Sequence, residues 1–149
     1  MKRLTTITMA LALTLLVSGL AFAMQGMDHG DTKAAGMSVH DGMRIVEDNL
    51  NMMKADVETM KDPARRQEAM SAMNKHMTDM HHGMAAMEGH AKKNHDTGME
   101  ASMKQMNKEM MITMKGMGMM KKDPDAAIRM MEEGNMKMEK TLMTIKSGM

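Results

Sequence analysis

The chain has 149 residues, of which 30 are methionine, one is aromatic and none is cysteine, and its 20 basic side chains nearly balance 19 acidic ones. This balance gives no electrostatic reason to bind nucleic acid, and the single Phe22 gives no stacking platform for bases. Without cysteine there is neither a disulfide framework nor thiolate chemistry, and the length suits one small domain.

Residues 1–23 carry the three zones of a secretory signal. Lys2 and Arg3 form a short positive start, the stretch from Leu4 to Leu20 holds no charge, and Ala21-Phe22-Ala23 supplies the small-x-small pattern a signal peptidase accepts. An uncleaved membrane anchor is the competing reading, but Gly19 and the small-residue end favour cleavage. The expectation is therefore a mature chain beginning at Met24 in a bacterial periplasm, with membrane contact only through the signal during export. Residues 24–36, MQGMDHGDTKAAG, contain three glycines and no apolar periodicity, and read as a flexible arm.

From residue 37 to 149 the spacing of apolar residues is helical. Met43, Val46, Leu50, Met53, Val57 and Met60 step by three and four, as a heptad seam does. Lys61-Asp62-Pro63 ends this first helix, and Asp62 as N-cap with Pro63 in the first turn is expected to open the second. The second seam runs through Met70, Met73, Met77, Met80, Met84, Met87 and Ala91, and fraying is expected over residues 94–98. A capping box, Thr97-x-x-Glu100, opens the third helix, whose seam is Met99, Met103, Met106, Met110 and Met117 with Thr113 at the intervening step. Gly116 and Gly118 weaken its end. Lys122-Asp123-Pro124 then repeats the earlier punctuation, and a fourth helix follows through Met131, Met138, Leu142 and Ile145. The repeated tripeptide points to a diverged duplication of a helical hairpin, 37–95 and 97–149. The fold expected is all-α, an antiparallel four-helix bundle. Because methionine specifies packing poorly, a molten state without metal belongs to the same expectation.

Thioether sulfur is a soft, neutral ligand that selects Cu(I) and Ag(I), and imidazole extends the range to Cu(II). On a helical wheel the second helix places His81 on one side of its methionine stripe and His76 and His90 on the other. Spacings of three and four then give three overlapping ligand sets: Met77/His81/Met84, Met73/His76/Met80 and Met84/Met87/His90. His82 points away from the stripe and is expected to be solvated. The third helix offers all-thioether sites, with Met103, Met106 and Met110 the leading ligands, and Met24, Met27 and His29 offer loose capture in the arm.

Methionine at heptad spacing is more often core than ligand. Two features weigh against core alone. Adjacent pairs such as Met52-Met53, Met110-Met111, Met119-Met120 and Met130-Met131 force some thioethers toward water, and beyond the leader only Leu50 and Leu142 remain as leucine. The Lys and Glu of the outer faces read as solvating charge. No nucleophile, phosphate-loop or metalloprotease pattern occurs, and no Glu-x-x-His pairs build a di-metal carboxylate site, so an enzyme is not expected.

This Met- and His-dense, cysteine-free chain with an export signal resembles the small periplasmic copper- and silver-binding proteins of the SilE/PcoE kind. The Met80-x-x-x-Met84 step around His81-His82 is also similar to paired-histidine helices in small four-helix periplasmic copper proteins. The resemblance implies a metal sponge or chaperone in copper and silver resistance that feeds an efflux system; the histidine-free second half departs from the pattern. Two other readings stay open on the residues alone: a sacrificial antioxidant working through methionine sulfoxide, and a Met-rich holdase.

Overall fold

A computed structural model describes residues 36–149; the leader, its expected cleavage site and Met24, Met27 and His29 of the arm lie outside these residues. Four helices follow one another: α1 (Val39–Met60), α2 (Arg66–Asn94), α3 (Thr97–Met119) and α4 (Pro124–Gly148). Alanine, methionine, lysine and glutamate are all good helix formers and dominate these segments. The described residues contain no strand, and α1 pairs mainly with α2 and α3 with α4, so the two expected hairpins form the bundle. None of these helices is long and apolar enough to cross a membrane.

The caps explain where each helix begins. Ser38 accepts a hydrogen bond from the Asp41 amide at 3.1 Å and donates its hydroxyl to the Asp41 carboxylate at 2.7 Å, closing the first turn of α1. Asp123 accepts from the Ala126 amide with Pro124 in the first turn of α4, as the sequence led one to expect. The matching tripeptide at residue 61 behaves differently. Asp62 accepts from the Ala64 amide at 2.9 Å within a turn, and α2 starts only at Arg66 with no side-chain cap. The residues that follow differ: Asp125 complements the positive end of α4, whereas α2 begins on Arg65 and Arg66, whose charge its positive end does not favour. Arg66 instead turns its Nε toward the carbonyl of Met60 at 3.0 Å, where a cation suits the end of α1.

The junction of α2 and α3 is a capped corner, not the frayed stretch expected. His95 takes a left-handed conformation (φ 55°), and the Asp96 amide reaches back to the Ala91 carbonyl at 2.9 Å. That reversal places Asp96, not Thr97, at the cap of α3, where it accepts from the Met99 amide at 2.9 Å. The glycines expected to weaken the end of α3 lie in its last turn. Gly116 is buried against α4, and the helix runs on to Met119.

All six seam residues of α1 are buried, as are Met73, Met77, Met80, Met84, Met87 and Ala91 of α2, with Met70 packed at their edge. In α3 the buried line passes through Met99, Met103, Met106, Glu109, Thr113 and Gly116, and Met110 and Met117 sit beside it. In α4 it takes in Ala127, Ile128, Met131, Gly134, Asn135, Met138, Leu142 and Ile145. These lines meet in one core made chiefly of thioethers.

Candidate metal centre

The methionines proposed as ligands on α2 and α3 come together inside this core. Met73, Met80 and Met87 have no exposed surface, Met77 and Met84 have almost none, and Met103 and Met106 of α3 join the same cluster, with Met110 half-buried against it. The α2 stripe therefore serves first as packing, and its sulfurs lie beneath the surface.

The histidines are distributed around this stripe. His81 is half-buried. His82, expected to be solvated, is half-buried as well. His90 is exposed, and the Asn94 amide lies 3.0 Å from its Nε2 and donates to its carbonyl at 2.9 Å. Its companions Met84 and Met87 face the core.

His76 has the most ordered surroundings. Its Nδ1 lies 2.7 Å from Oδ2 of Asp56 on α1, with the His76 side chain 18% exposed and that of Asp56 13%. Asp56 was not among the residues the sequence singled out. A signal for it existed: Gly42, Asn49 and Asp56 recur every seven residues beside the α1 seam, and Ala69, His76 and Gly83 do the same on α2. The two lines face each other. A Cβ added at Gly42 would lie 2.8 Å from the Gly83 carbonyl oxygen, and one at Gly83 would lie 2.6 Å from that of Gly42, so the helices touch backbone to backbone further along the interface that holds the His76–Asp56 pair.

The second hairpin is polar in a different way. Glu109 is buried and accepts from Gln105 at 2.8 Å and from Thr141 at 2.9 Å, while Thr113 donates to Oδ1 of Asn135 at 3.2 Å. Among the described residues, no three His, Asp or Glu side chains converge into a site for a harder metal ion.

The adjacent methionine pairs divide between the two environments. Met53, Met120 and Met131 are buried, Met119 and Met130 half-buried, and Met52 and Met111 exposed. Met114, Met136, Met143 and Met149 also face solvent, and every exposed large hydrophobic among the described residues is methionine. Thioethers thus extend from the centre of the bundle to its surface.

No protein-family model matches the chain, and no curated protein or solved structure matches it either.

Proposed function

We propose that this protein binds and buffers Cu(I) or Ag(I) in the periplasm, using methionine thioethers with histidine at the edge of the α2 stripe. The observation that carries this reading is the identity of the exposed apolar side chains. Single exposed apolar side chains are ordinary, but here Met52, Met111, Met114, Met136 and Met143 make methionine the residue that stands in water as well as in the core. A soft monovalent ion gives that choice of residue a use, since a thioether needs no deprotonation to bind it. His76, tied to a carboxylate across the helix interface, supports metal over the antioxidant reading, which makes no use of histidine.

Native mass spectrometry of the chain from Met24 onward, titrated with Cu(I), Ag(I) and Zn(II), tests the proposal. Several soft ions per chain and much weaker zinc binding are expected, because thioethers contribute little to zinc sites. Zinc binding as tight as silver would defeat it. Export belongs to the same proposal, and N-terminal sequencing of the protein from a periplasmic fraction should begin at Met24; intact residues 1–23 there would refute cleavage.

A further inference from the structure

We infer that His76 and Asp56 form a positioned imidazole anchor for one soft cation at the α1–α2 interface, with the exposed Met52 as its accessible thioether. This inference rests on the soft-metal reading above and adds to it a specific histidine, its positioning residue and a second helix.

The pair fixes which nitrogen is available. With Nδ1–H donated to Asp56 at 2.7 Å, the neutral ring keeps its lone pair on Nε2. A carboxylate accepting the remote N–H is the usual partner of a metal-bound histidine, where it sets the ring orientation and raises ligand basicity. Both groups are mostly buried, so the orientation is held by the interface and is not a passing surface contact.

Charge points the same way. A monovalent ion bound by thioether and imidazole keeps its full positive charge, because both ligands are neutral. Among the described residues Asp56 has no lysine or arginine partner, only His76, so its negative charge remains to offset a cation on the ring. The nearby lysines are engaged: Lys54 of α1 with Glu139, and Lys61 at the C-cap of α1 with Glu58 and Glu132.

Met52 lies four residues before Asp56, on the adjacent turn of the same side of α1. It is 45% exposed, while the methionines flanking His76 on α2, Met73 and Met80, are fully buried. Met52 is therefore the sulfur beside the pair that an ion can reach without opening the core.

The competing role for the pair is a purely structural link between α1 and α2. Long-range 1H–15N correlation spectra of histidine-labelled protein, recorded with and without one equivalent of silver nitrate, separate the two. The expected result is a His76 ring protonated at Nδ1 without silver, an upfield displacement of its Nε2 with silver, and movement of the Met52 ε-methyl signal. Asp56→Asn should keep the helical circular dichroism and weaken silver binding about 10- to 100-fold. Silver that shifts other methionine methyls but leaves His76 Nε2 in place would make the pair structural and overturn this inference alone. A spectrum in which no methionine or histidine responds to silver would overturn the soft-metal reading and this inference together. The Nε2 measurement is made on the unmodified chain, so it decides the question even if the Asp56 variant fails to fold.

Discussion

Gly42 and Gly83 set the separation of α1 and α2, because each would bring a Cβ within 3 Å of the other's carbonyl oxygen. Gly83→Ala gains about 1 kcal/mol of helix propensity, but overpacking against rigid backbone costs about 1–3 kcal/mol, so a net loss is expected. Gly89, with open space around its Cα, serves as the control, and Gly89→Ala should stabilise by up to about 1 kcal/mol. Urea melts of the two variants check this; equal stability would mean that the helices do not touch there. Asp41 offers a second check at the same scale. Its hydrogen bond from the Ser38 side chain holds the carboxyl below its ordinary 3.8. The ionised cap is therefore complete above that value and is lost as pH falls through the lower folded value. Ser38→Ala should raise the Asp41 midpoint in an NMR titration, and an unmoved midpoint would discount the cap. The buried seam was legible residue by residue, since Met43 to Met60 and Met73 to Ala91 repeat at helical spacing. Asp56 was not, because a wheel ranks residues by polarity and a carboxylate beside a seam looks like solvent face until the partner helix brings His76 to it.

Two copies of Lys-Asp-Pro lead to two different helix starts, which shows how far a local motif reaches. Asp123 caps α4, whereas Asp62 only closes a turn ahead of α2. Asp123→Ala should cost about 1 kcal/mol, as loss of an N-cap does, and Asp62→Ala clearly less. Thermal melts of both variants test the difference; equal losses would place a cap at Asp62 after all. The tripeptide revealed the boundary between helices, but not the start of α2, which falls at Arg66 beyond Pro63 with no side-chain cap. The α2–α3 corner was hidden for a related reason. Residues 94–98 read as a fraying stretch, but His95 makes the reversal and Asp96 the cap, so Gly98 falls inside α3. The outer charges, read as solvating, also pair between helices. Glu47 and Lys54 on α1 and Lys61 at its C-cap meet Lys146, Glu139 and Glu132 on α4 at 2.6, 2.7 and 3.0 Å, with a step of seven along both segments. Half-exposed pairs of this kind contribute about 0–1 kcal/mol each, so they select register and antiparallel direction more than they add stability.

At the scale of the whole molecule, the same residue type fills the core and stands on the surface, and under the proposed soft-metal function this would make uptake depend on the fold. Met52, Met111, Met114, Met136 and Met143 reach solvent in the native bundle, with Met136 62% exposed. Met73, Met80, Met87, Met106, Met131 and Met138 have no exposed surface, so an ion reaches their sulfurs only when helices part. Methionine cores deform easily, and the near absence of leucine makes such openings inexpensive. Silver uptake is therefore expected in two phases. Surface thioethers should respond at once, and buried ones at a rate limited by opening, which urea below the unfolding midpoint should accelerate. Real-time spectra of 13C-labelled methionine ε-methyls after addition of Ag(I) resolve the two sets. If ions then hold the bundle by joining sulfurs of different helices, stability should rise by mass action, about 2.7 kcal/mol at a hundredfold excess over the dissociation constant. Buried methyls that never respond, together with an unchanged melting temperature, would confine binding to the surface and leave the core as packing alone. Buried methyls that respond within the mixing time would mean the opposite, a chain whose core is already open to solvent before metal arrives.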